Sequence, residues 1–420
     1  MSAVVLYFFF GLLIFAVPVA HALVMATGVA VYLDGNLSLN LLITQMFAQT
    51  QSFPMLALPF FILAGSLMMS GKLGDRLIGF ATELVQRRRG GLAKTTVIGS
   101  VIFGGVSGSA VSDATALGSV LIPWQIRSGY PPNFCSAVNS CSATIAILIP
   151  PSIPMILFGL VSSASVADLF LAGVLPGLML AAGFITVINI RAKQLDLPFQ
   201  RPPFDWPKFL GLALYALPAI IMPVMILVFL RFGIATPTEV SVMACVYAIL
   251  AGLLIYRDMN FKRFWDAMVG AGIATGIVML IIMASAVFGW ILTYDQMPQR
   301  FATWALVTLG NKYAIVLAMN VVMLIAGMFI DLPAAILLLG PIFVPLWSTM
   351  GLDLVQLGIV MTLNLAVGLY TPPVGTTLWI SSAISRVTLA QTVSELWWFY
   401  MVGLGTTLLF SYVPWLTLKF

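Results

Sequence analysis

The stretch TTVIGSVIFGGVSGSAVSDATALGSVLIPWQI (residues 95–126) decides how this sequence folds. It is apolar almost throughout, but Gly104, Gly105 and Gly108 interrupt its centre and Asp113 follows them closely. Its 32 residues are too few for two bilayer crossings, since each crossing needs ~20 residues. The stretch is therefore either one long crossing or a helical hairpin that enters and leaves on one side.

The composition of the whole chain predicts a membrane protein. Of 420 residues, 61% are hydrophobic and 8% are charged, and the mean hydropathy is +1.08. No water-soluble globular domain has this mixture. The length allows on the order of ten crossings and leaves no room for an enzyme domain outside the membrane.

The distribution of basic residues decides between a crossing and a hairpin. If residues 95–126 and residues 313–347 both form hairpins, opening to opposite faces, one face carries fifteen basic residues and the other carries four. Such an asymmetry marks the first face as cytoplasmic. The sequence then predicts nine crossings, the first over residues 4–33, with the N-terminus inside. The first face holds Lys72, Arg76, Arg87, Arg88, Arg89, Lys94, Arg127, Arg191, Lys193, Arg201, Lys208, Arg257, Lys262, Arg263 and Arg386, and the second holds Arg231, Arg300, Lys312 and Lys419.

An internal repeat relates the two hairpins. At an offset of 222 residues, without a gap, Gly105 aligns with Gly327 and the pair Pro150-Pro151 aligns with Pro372-Pro373. Because the two halves begin on opposite faces, this is an inverted-topology repeat, which is typical of secondary transporters. The predicted division is a first repeat over residues 1–200, with its hairpin at about 95–126, and a second over residues 201–420, with its hairpin at about 313–347. The first repeat looks truncated at its start, where a helix from another chain could fill the gap.

The two Pro-Pro pairs indicate a cation site in each half. Proline lacks an N–H, so the carbonyls four residues earlier lose their partners. A sodium ion is well suited to such carbonyls because hard cations take oxygen ligands. The alternative is a kink relieved by neighbouring Ser and Thr hydroxyls; two symmetric pairs favour the ion. The freed carbonyls belong to Ala146, Ile147, Gly368 and Leu369.

Two aspartates at the hairpin centres could add ligands to these cation sites. Asp113 and Asp331 lie in membrane-embedded stretches, where carboxylates are usually functional, although Asp331 before Leu332-Pro333 is also a good helix N-cap. We expect the substrate to contact Ser107, Gly108, Ser109 and Asp331. The predicted sodium ligands are Ser109, Asp113, Ser142, Thr144, Ala146, Ile147, Gly327, Asp331, Thr362, Asn364, Gly368 and Thr371.

In combination, four motifs resemble the large membrane subunit of tripartite ATP-independent periplasmic (TRAP) transporters over essentially the whole chain. They are FGGVSGSA (103–110) followed by Asp113, IPPSIP (149–154), LFLAGVLPG (169–177) and NLAVGLYTPPVG (364–375). The resemblance implies an elevator-type secondary transporter of the bacterial inner membrane, coupled to sodium and importing organic acids such as dicarboxylates or sialic acid. It also implies a small four-helix membrane subunit and a periplasmic substrate-binding protein as partners. One departure is Ala146-Ile147, where relatives often have Gly-Pro.

Together these features predict an all-α polytopic membrane protein in which the hairpins and the helices with Pro-Pro breaks slide against a scaffold. Substrate would sit between the hairpin tips, its carboxylate bound by hydroxyls and helix N-termini, since no arginine is placed at mid-membrane. The first alternative is a stand-alone sodium-dicarboxylate carrier that needs no binding protein. An intramembrane enzyme would need a metal cluster or a carboxylate pair at catalytic spacing, and this sequence has neither. A channel is less favoured than a carrier, because two broken hairpins indicate occluded sites and not a continuous pore.

Overall fold

A computed structural model describes residues 1–15, 17–35, 37–69, 73–198 and 205–417. Three basic residues used to predict the topology, Lys72, Arg201 and Lys419, lie outside these ranges. All regular secondary structure in these ranges is helical. Six described helical segments are long and apolar enough to cross a membrane: Val166–Gln194, Trp206–Arg231, Pro237–Ile255, Phe261–Tyr294, Lys312–Phe329 and Leu332–Thr349. The chain is thus an all-α polytopic membrane protein.

The first half contains ten described α-helices. They are α1 (Ser2–Ile14), α2 (Val19–Asp34), α3 (Leu39–Thr50), α4 (Ala57–Met69), α5 (Leu73–Val85), α6 (Gly91–Ser107), α7 (Ala110–Arg127), α8 (Pro132–Ser142), α9 (Ile153–Ser162) and α10 (Val166–Gln194). A 3₁₀ turn, Ala143–Ile147, extends α8 toward the first Pro-Pro pair, and another, Phe53–Leu56, leads into α4.

The second half contains nine described α-helices. They are α11 (Trp206–Arg231), α12 (Pro237–Leu250), α13 (Phe261–Tyr294), α14 (Met297–Leu309), α15 (Lys312–Phe329), α16 (Leu332–Thr349), α17 (Leu354–Leu369), α18 (Thr376–Ser385) and α19 (Leu389–Tyr412). A π-helical turn, Ala251–Ile255, continues α12.

The two hairpin segments form helical pairs, α6–α7 and α15–α16. Helix α6 ends because Gly108 adopts the left-handed conformation (φ +59°), and its N–H bonds to the Gly104 carbonyl. Helix α16 begins at Leu332-Pro333, where proline is well tolerated because the first helical N–H groups have no partner within the helix. Each hairpin is therefore closed by a turn of a few residues.

Helix bounds follow the repeat offset closely. Shifting α7 by 222 residues reproduces both ends of α16, and the same shift places the start of α8 on the start of α17. Outside the hairpins the two halves differ, because the single helix α13 in the second half corresponds to the separate helices α3 and α4 in the first. Helix α1, with 13 residues, occupies the place of α11, which has 26 residues, so the first half has the shorter leading helix.

One local expectation is wrong, and three helices were not predicted. Residues 4–33 do not form one helix, because α1 and α2 are separate helices that pack against each other. Pro18 is the N-cap of α2, and a proline has no N–H with which to continue a preceding helix. Helix α3 has no counterpart in the predicted crossings. Neither do α5 and α14, which pack beside the hairpin arms α6 and α16.

The helix packing links the hairpins to the helices on either side of the Pro-Pro breaks. Helices α2, α3 and α4 pack with α12 and α13. The hairpins pack with α8, α9, α17 and α18 in an interlocked pattern. The first arm of each hairpin contacts the helix before the Pro-Pro break of its own half, through the pairs α6–α8 and α15–α17. The second arm contacts the helix after the break of the other half, through the pairs α7–α18 and α16–α9.

Candidate functional site

The tip of the first hairpin rests on the first Pro-Pro pair. Gly108 lies so close to Pro151 that a Cβ on Gly108 would collide with the Pro151 carbonyl oxygen. Ser109 is the N-cap of α7 and accepts a hydrogen bond from the Ser112 N–H (3.4 Å). The Ser107 hydroxyl accepts from the Ser109 N–H (3.4 Å). The predicted substrate residues of this tip therefore form one small polar turn against the break.

The tip of the second hairpin rests on the second Pro-Pro pair in an equivalent way. The Met328 carbonyl accepts hydrogen bonds from the N–H groups of Val374 and Gly375, both at 3.3 Å. Asp331 is half-buried and occupies the N-cap position of α16, yet its side chain makes no capping hydrogen bond. This carboxylate belongs to the second tip, so the predicted substrate residues lie in two groups, one at each break.

Close backbone contacts join each hairpin to the helix before its break. A Cβ on Gly368 would collide with the backbone of Gly327, and a Cβ on Gly104 would collide with the backbone of Ala146. Position 146 is the repeat equivalent of position 368, and in each half a hairpin glycine provides the close contact, although Gly104 lies one residue before Gly105, the repeat equivalent of Gly327. The departure at Ala146 is thus accommodated by Gly104.

Hydroxyl groups contact two of the four freed carbonyls. The Ser152 Oγ donates to the Ile147 carbonyl, and the Thr377 Oγ1 donates to the Leu369 carbonyl at 2.9 Å. The Gly368 carbonyl accepts from the Thr371 N–H at 3.0 Å. A carbonyl oxygen has two lone pairs, so each of these groups keeps a site for a further ligand.

Two repeat-equivalent positions, Ser142 and Asn364, each bury an oxygen without a partner. The Asn364 Nδ2 donates to the carbonyl (3.0 Å) and to the Oδ1 (2.6 Å) of Asn320, which leaves the Asn364 Oδ1 without a hydrogen bond. The Ser142 Oγ is also buried without a partner. Ser142 and Asn364 each stand one helical turn before the residue that touches the hairpin, Ala146 or Gly368.

Asp113 adds a third such oxygen. Its Oδ2 accepts from the Ser100 Oγ at 2.6 Å, while its Oδ1 is buried without a partner. Carboxylate, hydroxyl and amide oxygens are the ligands of hard cations, so these residues fit a sodium ion. The hydroxyls of Thr144, Thr362 and Thr371 donate to the carbonyls of Cys141, Gly358 and Val367, and keep lone pairs for a cation.

A polar network between the halves escaped the sequence analysis. The Asn139 Nδ2 donates to the Ala114 carbonyl (3.0 Å) on α7 and to the Ser381 Oγ (2.9 Å) on α18. The hydroxyls of Ser136 and Thr392 lie 3.0 Å apart in the same region. The signal was present in the sequence, because α8 carries five polar residues in eleven, at positions 133, 136, 139, 140 and 142.

Comparisons with known proteins agree with this architecture. The family described as "Tripartite ATP-independent periplasmic transporter, DctM component" matches residues 6–416. The uncharacterized protein y4mL of Sinorhizobium fredii is 54% identical over 100% of both chains. The C4-dicarboxylate TRAP transporter large permease protein DctM of Pseudomonas aeruginosa is 36% identical, over 90% of this chain and 88% of that protein.

A solved structure shares the fold. The crystal structure of the Alcanivorax borkumensis YdaH transporter, described as having an unusual topology, has a TM-score of 0.67 and covers 98% of this chain and 97% of its own, at 14% identity. The matching family consists of transporter permeases, not of enzymes, and its members are multi-pass proteins of the inner membrane. This chain belongs to the TRAP transporter family, as a member of its DctM component, the large permease.

Proposed function

We propose that this chain is the membrane subunit of a sodium-coupled importer of an organic acid, a C4-dicarboxylate, sialic acid or a related carboxylate. One observation carries the proposal: Ser142 and Asn364, at equivalent positions of the repeat, each bury a partnerless oxygen beside a Pro-Pro break. A buried polar atom without a hydrogen bond is destabilising, typically by about 1–3 kcal/mol. Binding of a cation at each position would remove that cost.

Sodium would act by neutralising the carboxylates of the hairpins before the hairpins move. Asp113 is 1% exposed and Asp331 is half-buried, and both belong to hairpins. Carrying a bare carboxylate across the membrane interior costs several kcal/mol. One cation held near Ser142 and Asp113 and a second held near Asn364, each with carbonyls of the adjacent break, would lower that cost and favour the movement of the hairpins against the surrounding helices.

The carboxylate of the substrate would bind at the hairpin tips. Helices α7 and α16 both begin there, and the N-terminus of a helix attracts anions through its free N–H groups and its dipole. Ser107 and Ser109 offer hydroxyl donors at the first tip. The name of the Pseudomonas aeruginosa relative specifies C4-dicarboxylates, which supports a carboxylate as the transported compound.

The large permeases of this family work with a small membrane subunit and a periplasmic binding protein. We propose the same two partners here.

Reconstitution into proteoliposomes with the small subunit and the binding protein tests the proposal. Uptake of the acid bound by that binding protein should require an inward sodium gradient and should stop when potassium replaces sodium. Equal uptake in potassium rejects sodium coupling. Uptake without the binding protein would instead support the stand-alone carrier. Asp331→Asn should weaken the sodium dependence while the complex still assembles.

A further inference from the structure

A cavity of about 370 Å³ lies between four helices, α3, α9, α13 and α16. It is separate from the hairpin tips. Leu337, the lining residue of α16 nearest the tip, stands six residues after Asp331, which is about 9 Å along a helix that rises 1.5 Å per residue. Its volume lies within the range of small-molecule sites in proteins.

The polar groups that line this cavity are all uncharged. The described lining residues include the amides of Gln45 and Gln49, the hydroxyls of Ser285 and Thr293, and the indole of Trp290; the remainder are apolar or glycine. Amides and hydroxyls both donate and accept hydrogen bonds, as the hydroxyl groups of a solute do. A carboxylate or phosphate would meet no cation among these residues.

Ser285 supplies a second, independent observation. The residue is 3% exposed, and its Oγ is buried without a hydrogen-bond partner. Because buried hydroxyls nearly always form hydrogen bonds, we expect this atom to bond to a molecule in the cavity. Thr293, two turns further along α13, is exposed, as is Gln49 on α3. The cavity thus runs from a closed end at Ser285 to an open end at Gln49 and Thr293.

We propose that this cavity binds a small, uncharged, polyhydroxylated solute, with one hydroxyl on the Ser285 Oγ and others on the two glutamines. An apolar occupant would leave Ser285 and both amides without partners, and an anion would lack a counter-charge. Because α3 and α13 form one wall and α9 and α16 form the other, the solute contacts a hairpin arm and the surrounding helices together. The proposal does not depend on sodium coupling or on the transported acid.

Cysteine labelling tests access to the cavity. The native cysteines Cys135, Cys141 and Cys245 are all buried, so the unmodified protein gives the background. Ser285→Cys in lipid nanodiscs should react with a hydrophilic methanethiosulfonate reagent. Two control variants should not. The first is Ile277→Cys, because Ile277 lies on the same helix but is 59% exposed toward lipid. The second is Ser241→Cys, because Ser241 is fully buried on α12.

Protection from labelling then tests binding. Mannitol, the probe, should slow the labelling of the Ser285→Cys variant about tenfold once its concentration is about ten times its dissociation constant. Betaine at the same osmolality, which has no hydroxyl groups, should leave the rate unchanged.

Two results overturn the proposal: no reaction of the Ser285→Cys variant with the hydrophilic reagent, or a rate that mannitol and betaine affect equally. If that variant fails to fold, Gln49→Cys at the open end gives the same comparison, because mannitol should protect it as well.

Discussion

Arg191 on α10 and Glu395 on α19 form a bidentate ion pair between two helices that the repeat relates. The Arg191 Nε lies 3.1 Å from the Glu395 Oε2, and the Nη2 lies 2.8 Å from the Oε1. Both side chains are largely buried, at 18% and 11% exposure. Parallel hydrogen bonds of this kind fix geometry as well as charge, so the pair holds the two halves in one alignment.

Glu395→Ala should therefore destabilise the protein by about 2 kcal/mol, because it leaves the largely buried guanidinium of Arg191 without its carboxylate. Thermal unfolding of the purified protein in detergent measures the change. Lys193→Gln is the matched control: Lys193 lies in the same last turn of α10 but is exposed, and its loss should change stability by less than about 0.5 kcal/mol. Equal effects of the two substitutions would contradict this account of the ion pair.

Gly368→Ala should push the second hairpin away from α17. The added Cβ meets the backbone of Gly327, which cannot rotate aside, and overpacking of this kind costs about 1–3 kcal/mol. We expect a lower unfolding temperature and reduced uptake. The reciprocal change at the equivalent position, Ala146→Gly, adds no atom and should cost about 1 kcal/mol or less through helix propensity. A tolerated Gly368→Ala would show that the two backbones do not touch.

Ser142→Ala should separate ion binding from folding. The Ser142 Oγ makes no hydrogen bond within the protein, so its removal should not lower the unfolding temperature in sodium-free buffer and should raise it if the buried hydroxyl is destabilising. If it is a sodium ligand, the sodium concentration for half-maximal uptake should rise about tenfold, which corresponds to about 1.4 kcal/mol. Ser140→Ala, equally buried on α8, removes a hydroxyl that bonds to the Ala137 carbonyl and should leave the sodium dependence unchanged. An unaltered sodium dependence in both variants removes Ser142 from the site.

Asn139→Ala should weaken the contact between the halves. It removes the hydrogen bonds to the Ala114 carbonyl and the Ser381 Oγ, and we expect a loss of about 1–3 kcal/mol. A double-mutant cycle with Ser381→Ala isolates the bond between the two side chains and should give a coupling of about 1 kcal/mol. Strictly additive effects in chemical denaturation would show that this hydrogen bond contributes nothing.

Local chemistry explains why the sequence alone predicts the hairpins. Gly108 readily adopts the left-handed conformation that ends a helix, and the two Pro-Pro pairs restrict the backbone, so their positions indicate where helices end. The same logic overlooks Pro18, because a long apolar run around a single proline resembles a continuous crossing. Helix α3 is missed for a different reason: its 12 residues are fewer than a crossing needs, and Asn40, Gln45 and Gln49 interrupt their apolar pattern.

The contact between Asn139 and Ser381 could not be predicted in this way. Their repeat equivalents are Met361 and Gly159, so symmetry gives no indication of a polar pair. The two residues meet only because α8 and α18, from different halves, pack together. Likewise, the sequence suggests that Asp331 caps α16, but the direction of its side chain depends on the neighbouring tertiary structure, and no capping bond forms.

The interlocked packing of the hairpins has a consequence for the origin of the molecule. Helix α7 lies against α18, and α16 lies against α9, so each half covers a hairpin arm that belongs to the other. A polypeptide with one repeat alone would leave that arm, and the helix meant to cover it, without a neighbour. Only two copies inserted in opposite orientations could complete the arrangement. An ancestor with a single repeat would thus have assembled as an antiparallel dimer before gene duplication joined the copies.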